Sequence, residues 1–357
     1  MNRSRMLDAR LIAGGAHFSR ECGHTADEIR AAGLPVAFKA AAVPCSDTPA
    51  GVAAAMGRAV SLFAVAYSKI KPDIILVLGD RFEMHAAVSA AMPFSVPVAH
   101  IHGGEVTIGA VDNQFRNSIS KMSHLHFVAT RDARNRLIHM GEEPRRVFIT
   151  GAPGLDNLRT SDMLSRAEFM SRVGMPCGID RFLLVTLHPT TLDAGGNAEN
   201  PSELLAALDA LALPVLFTCP NVDAGRSEIV RAIQAYVRRH KDSRIERNLG
   251  GGLYAPAMKH AACMVGNSSS GIIEAASMRC PVVNVGDRQK GRLRGRNVID
   301  VPCRRAAIIA AVRRAVSSRF LARVRSAVNP YGDGHAADRI VKILETARLG
   351  PDLIRKV

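Results

Sequence analysis

Short, nearly unbroken apolar runs recur along the chain at residues 74–78, 96–101, 125–128, 147–149, 182–185, 215–217, 263–265 and 282–285. Several are rich in β-branched residues. They lack the in-and-out alternation of a strand with one wet face, so they predict strands buried on both faces, as in parallel sheet. Longer amphipathic or Ala-rich segments lie between them, at 53–68, 203–211, 226–239 and 305–316, and these predict helices. Strand and helix alternating in this way predict an α/β, doubly wound architecture.

The Gly- and Pro-bearing stretch GAPGLDN, 151–157, follows a strand and is the expected hinge between two domains. A chain of 357 residues suits two domains of ordinary size. The expected division is 1–157, 158–328, and a C-terminal segment 329–357. In that segment the turn-rich NPYGDG precedes a helix-like stretch at 336–349.

Composition narrows the class. Apolar residues make up 47% and charged residues 22%, ordinary for a globular protein. No run reaches the roughly 18 to 20 uninterrupted apolar residues of a membrane helix, and the start lacks the apolar core of a signal peptide. The seven cysteines are odd in number, scattered, and form no CxxC pair, which argues against a disulfide framework or structural zinc. A cytoplasmic setting fits. The net charge of +15 raises nucleic-acid binding. The basic residues are spread out, however, and a chain with no Trp and four Tyr has few rings on which bases could stack. No nucleic-acid or membrane partner is expected.

In open α/β sheets, ligands bind beyond the carboxyl ends of strands. The residues that follow the apolar runs are therefore the candidates. Asp80 follows the first run and Glu105 the second. His188 follows 182–185, Asn221 follows 215–217, and Asn267, Ser268, Ser269, Gly271 and Glu274 follow 263–265. The small and hydroxyl residues of 266–274 precede a predicted helix, a setting suited to a phosphate or simply to a Ser N-cap. Asp112 and Arg116 are four apart and would share a helix face. His100 with His102, and His124 with His126, alternate along strands, but no clear third ligand accompanies either pair and no metal is expected. No GxGxxG fingerprint, Walker lysine or GxSxG elbow is present.

Taken in order, these segments resemble a known family. GDRFEMHAA (79–87), AHIHGGEVTIGAVDNQFR (99–116), KMSHLHFV (121–128), TGAPGLDN (150–157), VTLHP (185–189), VGNSSSGIIEA (265–275), VVNVGDRQKGR (282–292) and NPYGDG (329–334) together look like the hydrolysing UDP-N-acetylglucosamine 2-epimerases. The resemblance runs in register from about residue 11 to the C-terminus. It implies two Rossmann-like domains facing a cleft, as in glycosyltransferase-B enzymes, with the last helix crossing back to the N-terminal domain. It implies no cofactor, a nucleotide-sugar substrate and a homodimer.

The implied reaction converts UDP-N-acetylglucosamine to N-acetylmannosamine and UDP, by elimination to a glycal and hydration. Carried over by motif, Asp80 is a proton-transfer residue and Glu105 and Asp112 are further carboxylate candidates. Arg116 and His188 match the family's active-site arginine and histidine. Ser268, Ser269, Gly271 and Glu274 match its nucleotide loop and ribose contact, and Arg288 and Arg292 line the same cleft. The same chemistry on a UDP-2,4-diacetamido-trideoxy sugar, a non-hydrolysing epimerase, a glycosyltransferase and an inactive nucleotide-binding remnant are the alternatives.

Two departures accompany the resemblance. These enzymes begin with a strand and a TGTRAD-like loop whose arginine helps hold the diphosphate. This sequence opens on what resembles their second strand, residues 10–15, followed by His17, Phe18 and Ser19, so a first domain without that strand and loop is expected. In addition, Asn113 and Asn117 stand where the family usually has an acid and a histidine.

Overall fold

A computed structural model describes residues 4–18, 26–44, 46, 48–107, 111–176, 178–189, 201–220 and 225–356. The chain forms two compact units. The first comprises Met1–Glu105, Val111–Asp156 and Gly332–Val357; the second comprises Val106–Ala110 and Asn157–Tyr331.

The first unit holds strands β1 (Leu11–Gly14), β2 (Val36–Ala40), β3 (Ile75–Leu78), β4 (Val98–Ile101), β5 (Leu125–Val128) and β6 (Val147–Ile149). They form two sheets rather than one. β1 and β2 make a parallel pair, and β3-β4-β5-β6 make a parallel four-stranded sheet. Among the described residues, β1 pairs only with β2 and β3 only with β4.

Every residue of β4 and β5 is buried, which accounts for their unbroken apolar runs. Helix Pro49–Ile70 and helix Phe82–Ala91 cover one face, where Phe63, Tyr67, Val77 and Val88 form a shared core. Helix Pro49–Ile70 is long and apolar enough to cross a membrane, but it carries Arg58 and Lys69 and buries Ala55, Ala59, Phe63, Ala66 and Tyr67 in this core. Helix Ala336–Thr346 covers the opposite face, placing Ile340 and Leu344 against Ala99, Ile101, Leu125 and Phe127.

The second unit holds β7 (Leu183–Thr186), β8 (Val215–Thr218), β9 (Arg244–Glu246), β10 (Cys263–Gly266), β11 (Val282–Val285) and β12 (Val298–Val301). All are parallel, in the order β12-β11-β10-β7-β8-β9. The order reverses between β7 and β10, so the crevice at their carboxyl ends is the topological switch point, where this architecture binds ligands. Gly266 ends β10 with φ 133, and a Cβ there would overlap the Thr186 carbonyl. The two strand ends can approach this closely only over a glycine.

Candidate functional site

In the first unit the chemistry gathers where β3 and β4 end. The chain leaves β3 through Gly79, at φ 85, and delivers Asp80. His100, fully buried on β4, fixes that turn: its Nε2 lies 2.8 Å from the Gly79 carbonyl and its Nδ1 lies 3.1 Å from Ser120 Oγ. A carbonyl only accepts, so Nε2 carries the proton and Nδ1 accepts from the serine. Burial holds this imidazole neutral, down at about 3, against the pull of the Gly79 carbonyl; His126 and Arg116 add to the depression.

Arg116 projects from helix Asp112–Met122 and its side chain is 1% exposed. One guanidinium nitrogen pairs with Asp80, and the other donates to the Glu105 carbonyl at 2.8 Å and to Asn113 Oδ1 at 3.3 Å. A buried guanidinium bonded on both branches fixes the orientation of the carboxylate it meets. Asp112 opens the same helix, one turn before Arg116, in the position where a helix dipole favours an acid.

His102 sits just beyond β4. The sequence places it on the same strand face as His100. The strand instead ends at Ile101, and His102 takes a left-handed conformation at φ 68. Its Nδ1 lies 3.0 Å from Glu105 Oε1. Gly104 follows at φ 71, where a Cβ would overlap the Ala133 carbonyl.

In the second unit, His188 follows β7 and Asn267 follows β10, on the two sides of the switch point. Asn267 Oδ1 accepts from the His188 backbone N–H at 2.7 Å, and Asn267 Nδ2 donates to the His188 carbonyl at 2.9 Å. The Asn267 carbonyl in turn accepts from Arg288 Nη1 at 3.2 Å and from Gln289 Nε2 at 2.8 Å. Ser268 caps a helix of only five residues, Ser269–Ile273, and Glu274 closes that helix rather than lying within it. So short a helix carries little dipole.

Tyr254 hydrogen-bonds to Ser268 and Ser270; burial, with the charge of Glu274, pushes its hydroxyl above the usual range. Arg292 donates to the Val106 carbonyl at 3.1 Å and to Thr107 Oγ1 at 3.3 Å, all within the second unit.

The sequence model for UDP-N-acetylglucosamine 2-epimerase matches residues 1–345. This chain belongs to the UDP-N-acetylglucosamine 2-epimerase family. The chain is 35% identical, over all of its length and 93% of the relative's, to the hydrolysing UDP-N,N'-diacetylbacillosamine 2-epimerase of Legionella pneumophila. It is 37% identical to the hydrolysing GDP/UDP-N,N'-diacetylbacillosamine 2-epimerase of Campylobacter jejuni, over 82% of this chain and 77% of that one. Among solved structures, the fold matches the UDP-GlcNAc 2-epimerase of Neisseria meningitidis bound to UDP-GlcNAc. There the TM-score is 0.81 at 18% identity, covering 96% of this chain and 93% of that one. These neighbours share the fold of two Rossmann-like domains read from the resemblance.

Within this family member, the structure joins Asp80, Arg116 and Glu105 into one cluster, and joins His188, Asn267 and Arg288 into another. Asn221 lies outside the described residues. Asn267 emerges as a clamp on backbone, Arg292 as a clamp on the segment that begins at Val106, and Ser268 as an N-cap. The basic residues of 288–296 are partly internal: Arg288 is buried, and Arg294 pairs with Asp300 at 3.0 Å. His102, weighed from the sequence only as half of a histidine pair, meets Glu105, and Gln289, within the 282–292 motif, holds the Asn267 carbonyl. Tyr254 left no signal in the sequence.

The histidine pairs have separate partners. His124 Nδ1 accepts from the Val98 N–H at 3.0 Å, and His126 Nε2 meets Glu142 at 2.9 Å.

Proposed function

We propose that the protein is a hydrolysing 2-epimerase acting on a UDP-2-acetamido sugar. It removes the C2 proton, expels UDP from C1 to leave a glycal, and adds water to give the free 2-epimeric sugar. The C2 proton is weakly acidic, so the reaction needs a proton-transfer group held in place. The observation that carries the reading is the Asp80–Arg116–Glu105 cluster: a carboxylate oriented by a buried guanidinium at the carboxyl end of a parallel strand. The leaving diphosphate needs only N–H donors, hydroxyls and a cation. Ser268, Ser269, Gly271 and Arg288 are the groups assigned to it, with Glu274 assigned to the ribose, and His188 to the substrate face of the switch point.

For the sugar, the 2,4-diacetamido-trideoxy nucleotide comes first and UDP-N-acetylglucosamine second. The two diacetylbacillosamine 2-epimerases match at 37% and 35% identity, against 30% for the UDP-N-acetylglucosamine 2-epimerase of Neisseria meningitidis. The test is incubation with each nucleotide sugar in D2O, followed by proton NMR. Free UDP together with a 2-epimeric sugar deuterated at C2 is the expected result, with the diacetamido substrate turning over faster. A product still linked to UDP would mean a non-hydrolysing epimerase. No C2 exchange with either substrate would reject the reading.

A further inference from the structure

We propose that His102 is a catalytic residue that takes the C2 proton through its Nε2 while Glu105 holds its Nδ1; this rests on the reaction assigned above. Glu105 is a further carboxylate candidate by motif, but its side chain is only 4% exposed and Oε1 faces the imidazole of His102 at 3.0 Å. The backbone of the same residue is held as well, its carbonyl accepting from Arg116 Nη1 at 2.8 Å. A carboxylate fixed at both ends and turned onto a ring nitrogen orients the ring. An ionised carboxylate only accepts, so Nδ1 carries the proton and Nε2 keeps its lone pair.

His102 is also placed at a cost. A non-glycine residue at φ 68 is uncommon, and such strain concentrates where a side chain must be aimed. The two glycines that follow are closely packed: a Cβ on Gly103 would crowd Ser120 and His100, and one on Gly104 would overlap the Ala133 carbonyl. The side chain keeps 17% of its surface, and Nε2 makes no hydrogen bond among the described residues. Asp80 joins the same cluster through Arg116. The result is a carboxylate–imidazole pair linked through the Glu105 backbone and Arg116 to the cluster's other carboxylate.

In the step assigned to it, Nε2 forms a bond to the C2 proton and the C2–H electron pair becomes the C1=C2 double bond. The C1–O bond breaks, and its electrons leave with UDP. The imidazolium that results is balanced by Glu105.

His102→Gly and His102→Asn suit the left-handed backbone, so both should fold. Each is expected to release UDP about 100 to 10,000 times more slowly than the parent, the range for a lost general base, with UDP affinity unchanged. Added imidazole is expected to restore turnover in His102→Gly but not in His102→Asn, which a merely structural role would not produce. Three results would overturn the assignment: UDP release within threefold of the parent; accumulation of glycal, which would move His102 to the hydration step; or no imidazole rescue in a variant that melts and binds UDP like the parent.

A second measurement does not depend on turnover. In the UDP-bound parent, the ring-nitrogen shifts of His102 should report Nδ1–H with unprotonated Nε2, and the opposite tautomer overturns the proposal. Absence of C2 exchange in the parent itself would instead reject the assigned reaction, and the tautomer would then decide whether the pair is a base at all.

Discussion

Asn267 grips His188 by both ends of its amide, accepting from its backbone N–H at 2.7 Å and donating to its carbonyl at 2.9 Å. The two strands that flank the switch point are thereby tied just beyond their last hydrogen-bonded residues. Asn267→Ala leaves a buried donor and a buried acceptor unsatisfied, each costing about 1–3 kcal/mol. The expected outcome is a loss of about 2–5 kcal/mol by urea denaturation, together with weaker UDP binding. A variant as stable as the parent would show that water or a rearranged backbone replaces the amide.

Asp80 and Arg116 form the corresponding junction in the first unit. Asp80→Asn keeps the shape and removes the charge and the carboxyl that would return a proton to C2 as water adds to the glycal. Its rate of C2 deuterium exchange should fall about 100- to 10,000-fold, with UDP affinity nearly intact. Arg116→Lys should be almost as impaired, because one ammonium cannot reproduce a planar fork that reaches Asp80, the Glu105 carbonyl and Asn113 at once. Exchange within fivefold of the parent in Asp80→Asn would remove Asp80 from the chemistry.

Much of this was legible in the chain itself. The run at residues 263–265 could be read as a buried strand because β10 has neighbours on both sides and helices above and below, so no polar residue interrupts it. Arg244–Glu246 could not: an edge strand of three half-buried residues has no apolar period to display. Val36–Ala40 alternates partly buried and exposed positions and carries Lys39, which hides a strand from a search for unbroken runs. At the site, residue types were legible and partners were not. The spacing of Asp112 and Arg116 placed them on one helix face, and nothing in it pointed to Asp80, 36 positions away, which Arg116 also meets. His102 was masked by strand periodicity, which assumes that a residue two beyond His100 is still in the strand. The passage of Val106–Ala110 into the second unit depends on contacts such as Arg292 to Val106, separated by 186 positions.

The Gly104 position offers a test of the backbone alone. Gly104→Ala places a Cβ where φ is 71 and the Ala133 carbonyl already stands. The left-handed conformation costs roughly 1–2 kcal/mol for an L-residue, before the clash is counted. Loss of more than about 2 kcal/mol in stability is expected, whereas Gly57→Ala, at an exposed position of helix Pro49–Ile70 with nothing within 4 Å of the added carbon, should be neutral or stabilising. Equal effects at the two sites would contradict the assigned loop geometry.

The C-terminal tail is latched by a buried ionic cluster. Lys356 Nζ reaches Glu142 at 2.7 Å and donates to the carbonyls of Lys121 and Ser123, while Arg146 donates to the carbonyls of Asp352 and Arg355. Burial alone would raise the Glu142 carboxyl, but hydrogen bonds from His126, Lys356 and Lys121 pull it down to about 2. Lys356→Met removes one partner of a buried pair, which typically costs about 3–5 kcal/mol. The expected signature is a large stability loss, with proteolytic release of the tail after helix Ala336–Thr346. Wild-type melting in Lys356→Met would mean that Lys121 and His126 satisfy Glu142 without it.

Three buried histidines set the acid limit of the first unit. Burial lowers His100 to about 3 and His124 to about 4, and it lowers His126 as well, against the opposing pull of Glu142. In the unfolded chain each titrates near its ordinary 6.5. Between the folded and unfolded values the unfolded state therefore binds more protons, so stability rises with pH across that window and is lost as pH falls below about 6.5. Each histidine contributes a slope of about 1.4 kcal/mol per pH unit until its folded value is reached. Melting temperature measured from pH 7.5 down to pH 4.5 should thus decline progressively. His124→Asn, whose side-chain oxygen can still accept from the Val98 N–H, should remove one proton's worth of that slope. An unchanged slope in His124→Asn would mean that this imidazole is already protonated in the folded protein, and that its buried bond to Val98 is not the one described.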